Sequence, residues 1–201
     1  MAFIETVAED AATGPTAELY SGHVAARGYV PNYLRLFALR PSVYAAWRQL
    51  IGSISADMDT RRYELATLAA ARALRSAYCA TEHGMVLRNR FYDAEALLHI
   101  ASDHTSAGLA DVDVAIMDFA DRVARDAPSI GREDVDLLRG AGLSDVEILD
   151  VALASAARCF FSTVLHAMGV EPDAATLFGL EAPLRAALIS TTDDPPASII
   201  C

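Results

Sequence analysis

The chain has 201 residues, 53% of them hydrophobic and 21% charged, with a formal net charge of −11 and an isoelectric point near 4.7. That size and composition fit one domain with a sizeable core and exclude a disordered chain. The acidic balance sets it against nucleic acid and anionic membranes, and three cysteines, at 79, 159 and 201, make neither a disulfide framework nor a paired metal motif, so a reducing cytoplasm is expected.

Residues 1–15 are acidic and carry no signal-peptide pattern. From Gly14-Pro15 to Gly28 the pattern predicts a first helix, with His23 on its surface. A second covers residues 31–39 and offers Leu34, Leu36 and Phe37 to a core. A third starts at Pro41 and places Val43, Trp47, Leu50 and Ile51 at core spacing. Trp47, the only tryptophan, suits a core or interface position better than a pocket wall.

Asp57-Met58-Asp59-Thr60 reads as a helix start with Thr60 as cap, and Arg61 and Arg62 suit carboxylates on another helix or subunit. Glu64–Leu74 is rich in Ala and Leu and lacks Gly and Pro, which predicts helix. Ser76 then stands at a join. If it caps a new helix over Tyr78–Leu87, its hydroxyl accepts from the N–H of Cys79, and the thiol sits where the positive helix end favours a thiolate. His83, four residues on, shares that face, and Glu64 from the preceding helix can orient its imidazole. These are the parts of an activated thiol with an acid–base partner, facing one hollow. The alternative is a single unbroken helix from Arg61 through Leu87, in which Cys79 is a small, inert core residue. Arg75, four residues before Cys79, can favour the thiolate or hold an anion, and Glu82, beside His83, can act as acid or base; both also suit a solvated surface.

Beyond Phe91 shorter helices are predicted: Asp93–Ser102, with His99 on its rim; Asp111–Ala127, with Val114, Met117, Phe119 and Val123 inward; and a short one over 131–142, stopped by Gly140 or Gly142. Ser144 and Glu147 form a capping box for a long helix, Asp145–Met168. It is apolar nearly all round, which suits a bundle centre or a subunit interface, while Asp150, Arg158 and His166 argue against a membrane span. Cys159, Ser162 and His166 follow a three-and-four spacing that predicts one shared face, with Cys159 either packed in the core or close to Cys79 as a second thiol. One or two short helices follow, and residues 191–201 read as a tail.

The run Glu64-x11-Ser76-x2-Cys79-x3-His83 resembles the E-x11-C-x2-C-x3-H signature of the carboxymuconolactone decarboxylase / AhpD-like alkylhydroperoxidase superfamily. The flanks are similar too, over about residues 28–175, and the later half looks like the peroxidase-related branch. The resemblance implies an all-α, AhpD-like helical bundle in one domain over residues 1–190, assembling as a trimer or a dimer of trimers. It implies that Cys79 meets a peroxide while His83 and Glu64 move protons. It also implies a small-molecule substrate, an external thiol as reductant, and neither cofactor nor metal. Three departures bear on this. Ser76 replaces the first Cys, which in the family resolves the oxidised second one as a disulfide; Tyr78 stands where a relay His is common; and Arg158–Thr163 reads RCFFST where the branch commonly reads F-N-F-F-N-R. Two further readings therefore stay open. One is cofactor-independent acid–base chemistry at His83 and Glu64 on a small organic acid or lactone, with Arg75 or Arg158 as anchor. The other is a non-catalytic ligand-binding scaffold.

Overall fold

The computed structural model describes residues 2–190; Met1 and residues 191–201, the expected tail with Cys201, lie outside the described residues. The described chain is all-α: α1 (Gly14–Arg27), α2 (Asn32–Phe37), α3 (Pro41–Ser55), α4 (Thr60–Ala73), α5 (Ala77–Arg90), α6 (Ala94–Asp103), α7 (Asp111–Asp126), α8 (Arg132–Gly140), α9 (Asp145–Ala167), α10 (Ala174–Gly179) and α11 (Ala182–Ile189), with one 3-10 turn at Ala127–Ser129. Local chemistry sets most boundaries. Gly28 ends α1 in the left-handed region, φ 82°, where a side chain would be strained. Pro15 and Pro41 stand in the first turns of α1 and α3, where no N–H is needed. The Ser144–Glu147 capping box opens α9 as the sequence predicts. The cap of α4 lies one residue earlier than predicted: the Asp59 carboxylate, not Thr60, accepts from the Arg62 N–H at 2.9 Å.

The centre of the bundle is α4, which packs against α7, α5 and α9, while α7 and α3 also pack on α9 and α11 lies across α5 and α6. Every residue from Tyr63 to Ala71 is buried. Five alanines in Ala66–Ala73 leave room for backbones to approach from all sides, which a helix of larger side chains does not allow. The sequence pattern allowed α9 either a bundle centre or a subunit interface. In the structure α9 buries one side, with Ile148, Val151, Ala154 and Leu165, and leaves Val146, Leu149, Leu153 and Phe160 exposed. By length and composition α9 could cross a membrane, and half of its most apolar stretch is buried against the rest of the chain.

Arg61 and Arg62 converge on the buried Asp113 of α7, at 2.8 and 3.4 Å, and lock α4 onto its neighbour. Trp47 is buried and stacks on Phe161 with ring centroids 5.1 Å apart. Two expectations from α1 and α3 are corrected. Leu50 is exposed, because Tyr44, Trp47 and Ile54 form the inward stripe of α3. His23 is half-buried, its Nε2 3.3 Å from the hydroxyl of Tyr44, which in turn lies 3.2 Å from that of Tyr33.

Candidate functional site

The site begins where α4 stops. The Ser76 N–H returns to the Ala71 carbonyl at 2.8 Å and the Arg75 N–H to that of Arg72 at 2.8 Å, the paired bonds of a Schellman ending. The position between them needs a left-handed backbone, and Arg75 fills it at φ 55°. Ser76 then caps α5, its hydroxyl accepting from the Cys79 N–H at 3.4 Å. Of the two geometries that the sequence allowed, the structure has two helices, with Cys79 in the first turn of the second.

Around Cys79 the expected hollow is closed. The residue is 1% exposed and lies in the main hydrophobic core. Its sulfur is nevertheless met by polar groups, both from α9: the Ser162 hydroxyl donates to it at 3.2 Å, and Nη1 of Arg158 lies 3.9 Å away. Arg158 is only 6% exposed; its guanidinium carbon lies 5.9 Å from the Trp47 ring centre and 5.7 Å from that of Phe161, and its Nε has no partner.

A second polar group lies beside the first. Nδ1 of His83 is 2.6 Å from Oε2 of Glu64, and the Thr67 hydroxyl lies 3.2 Å from the same nitrogen. A carboxylate at Nδ1 holds the proton there and leaves Nε2 as the acceptor. Both side chains keep slight exposure, 12% for His83 and 10% for Glu64, so the pair is the outer end of the site and the sulfur the inner end. Among the described residues no hydrogen bond joins His83 to Cys79. Tyr63 lies near both groups: its ring meets His83 edge-on at 6.3 Å, and its hydroxyl feels the charge of Arg158 as well as Glu64 and Cys79. Burial raises the Tyr63 pKa, which keeps this phenol neutral.

The other residues named from the sequence turn elsewhere. Tyr78 donates its hydroxyl to the buried Asp173, which also accepts from the Asn32 N–H at 2.7 Å. Glu82 pairs with Arg27 at 2.7 Å and accepts from Thr176. Arg75 has a buried Nη2 without a partner. The face expected to unite Cys159, Ser162 and His166 is divided. Cys159 donates to the Ser155 carbonyl at 3.4 Å and packs on Ala70, Ala73 and Ala124, while Ser162 turns to Cys79. Burial also pushes the Cys159 thiol up, away from a reactive thiolate. Open clefts among the described residues are lined by other residues; one of about 1280 Å³ lies over α7 and α8.

No protein-family model matches the sequence, and no curated protein matches it. Solved structures do match the fold. An uncharacterized peroxidase-related protein from Ralstonia eutropha JMP134, described as an alkylhydroperoxidase AhpD core, superposes with a TM-score of 0.78 at 18% identity, over 95% of this chain and 98% of that one. A peroxidase-related protein from Silicibacter sp. TM1040 gives 0.74 at 20% identity, over 85% and 93%.

The chain has the AhpD-like fold.

A cysteine-to-alanine variant of the debrominase Bmp8, in complex with 2,3,4-tribromopyrrole, shares this AhpD-like fold with a TM-score of 0.72 at 17% identity, over 94% of this chain and 98% of that one. Within the fold, Tyr63 and Thr67 are neighbours of the candidate site that the sequence reading did not name, and Ser162 was named without its contact to Cys79. Thr67 lies three residues after Glu64 and four after Tyr63, a helical spacing that was present in the sequence. Ser162 lies four residues after Arg158, but only the crossing of α9 over α5 selects that pair from the many on an apolar helix.

Proposed function

We propose that the protein is an AhpD-like enzyme that reduces a hydroperoxide at Cys79. The thiolate sulfur attacks the terminal peroxide oxygen, the O–O bond breaks, and the departing alkoxide takes a proton that Nε2 of His83 has first taken up from solvent, while Glu64 holds the Nδ1 side of the ring. Cys79 is left as a sulfenic acid. An external thiol condenses with it, releasing water, and a second thiol reduces the mixed disulfide and restores the sulfur. Ser76 cannot resolve the sulfenic acid, and Cys159 packs in a different cluster, so the reductant is a thiol from outside the chain, drawn from a reducing compartment. The chemistry asks for no metal or cofactor. We further propose that the chain works as a homo-oligomer, a trimer or a dimer of trimers.

One observation carries the reading. A buried cysteine in the first turn of a capped helix, met by two hydrogen-bond donors, lies one helical turn before a histidine paired with a carboxylate at 2.6 Å. The test exposes the protein to an alkyl hydroperoxide, traps sulfenic acid with a dione probe and locates the adduct by mass spectrometry. The adduct is expected on Cys79 and absent from Cys79→Ser. An unmodified Cys79 after complete exposure overturns the proposal.

A second reading has its own support. His83 is bonded to Glu64 and not to Cys79, so the pair is equipped for acid–base work on a small organic acid without thiol redox. Activity that survives Cys79→Ser and disappears in Glu64→Gln decides for it.

A further inference from the structure

We infer that Arg158 is the counter-ion that holds Cys79 as a thiolate in the resting protein. A guanidinium stays charged at any pH a protein survives. This one is buried on α9, and among the described residues no carboxylate pairs with it. Its surroundings are the Trp47 and Phe161 rings, the neutral hydroxyl of Tyr63 and the sulfur of Cys79, and its Nε is unpartnered. Burying a cation without an anion is strongly unfavourable, so a group beside it must carry negative charge.

The polarity of the neighbours says which group. Charged and titratable side chains face this space from three helices: Tyr63 and Glu64 from α4, His83 from α5, and Arg158 from α9. The Glu64 carboxylate is hydrogen-bonded to His83 and makes no ion pair with Arg158. Tyr63 is held neutral by burial. That leaves the sulfur. Both polar groups that approach it are donors, the Ser162 hydroxyl and the Arg158 N–H, and the Ser76 cap sets it in the first turn of α5, where the helix dipole favours an anion. A thiolate accepts from both, whereas a thiol can give its hydrogen to the Ser162 oxygen but leaves the buried guanidinium without a counter-charge. The assignment goes beyond the peroxidase reading, because the sulfur holds this charge whatever it reacts with.

The test follows the ultraviolet absorbance of the thiolate against pH in the folded chain, with Cys159 and Cys201 changed to Ser and with Cys79→Ser as the blank. The parent is expected to keep the Cys79 signal at neutral pH and below. Arg158→Met is expected to cut the thiolate fraction at neutral pH at least about tenfold. Arg158→Lys is expected to restore part of it, and Ser162→Ala to shift the curve in the same direction by less. Circular dichroism checks that each variant is folded; if the Met variant is not, the Lys and Ala variants decide by the same signal. Superimposable curves for parent and variants overturn the inference. So does a curve that moves with His83→Gln and not with Arg158→Met, which assigns the counter-charge to the imidazole. A peroxide that fails to react while the Arg158 curves separate rejects the proposed turnover and leaves this assignment standing.

Discussion

A buried carboxylate resists ionising, and Asp173 shows the effect away from the thiol. Burial raises its pKa above the ordinary value, against the lowering effect of the Tyr78 hydroxyl and the Asn32 N–H. A carboxyl whose folded pKa lies above its unfolded one contributes stability that is complete below the unfolded value and is lost as pH rises through the folded value. The stability of Asp173→Asn relative to the parent, from urea unfolding at a series of pH values, is therefore expected to increase from the acid side of the carboxylate range toward neutrality. A relative stability that falls over the same range shows that the Tyr78 and Asn32 bonds to the charged form outweigh burial. This residue also marks the limit of what the sequence told. The Glu64–His83 contact and the Ser76 cap beneath Cys79 were legible because they arise within two consecutive helices. The role of Tyr78 was not, because its partner is 95 residues away and only the packing of the segment before α10 against α5 brings the two together. For the same reason Arg158 was visible as a possible anchor but not as the neighbour of a particular sulfur.

At the scale of elements, the joint between α4 and α5 decides whether Cys79 has any helix end to feel. The Ser76 cap was readable, since a serine three residues before a candidate first-turn residue is a known start signal. The sharp stop before it was not, since the left-handed position is held by Arg75 rather than by glycine. A left-handed residue with a side chain costs about 1–2 kcal/mol, and glycine there gives back about 0.4–1 kcal/mol through the entropy of its unfolded chain. Arg75→Gly also removes a buried Nη2 that has no partner. The variant is expected to be more stable than the parent by roughly 0.5–1 kcal/mol in urea unfolding, with the thiolate curve of Cys79 unmoved, because the Ser76 cap is kept. A loss of stability shows that the Arg75 side chain contributes more to the bundle than its backbone strain costs.

At the scale of the whole molecule, the sequence pattern left α9 either a bundle centre or a subunit interface, and the physical reason why α4 takes the centre bears on assembly. Alanines let α4 be surrounded, whereas the bulk of α9 is more apolar than one interior face can use. The surplus lies outside: Val146, Leu149, Leu153 and Phe160 are exposed and fall three, four and seven residues apart, with Ala156 in the gap. That repeat is the seam by which one helix packs against another. On a chain of net charge −11, apolar contact is what can offset repulsion between copies. If this seam joins copies of the chain, Leu149→Glu combined with Leu153→Glu converts the assembly to a monomer in sedimentation equilibrium while circular dichroism stays unchanged. A parent chain that itself sediments as a monomer removes the assembly proposal. The two leucines are the right pair to change because they lie toward the start of α9, while Phe160, at the far end of the stripe, packs on Trp47 at 5.4 Å and through it on the cation beside Cys79. Charging Phe160 would mix the loss of assembly with damage to the site. Charging Leu149 and Leu153 leaves Trp47, Arg158 and Ser162 in place, so a fall in Cys79 reactivity on dissociation shows that a neighbouring subunit helps to form the site, and unchanged reactivity shows that one subunit suffices.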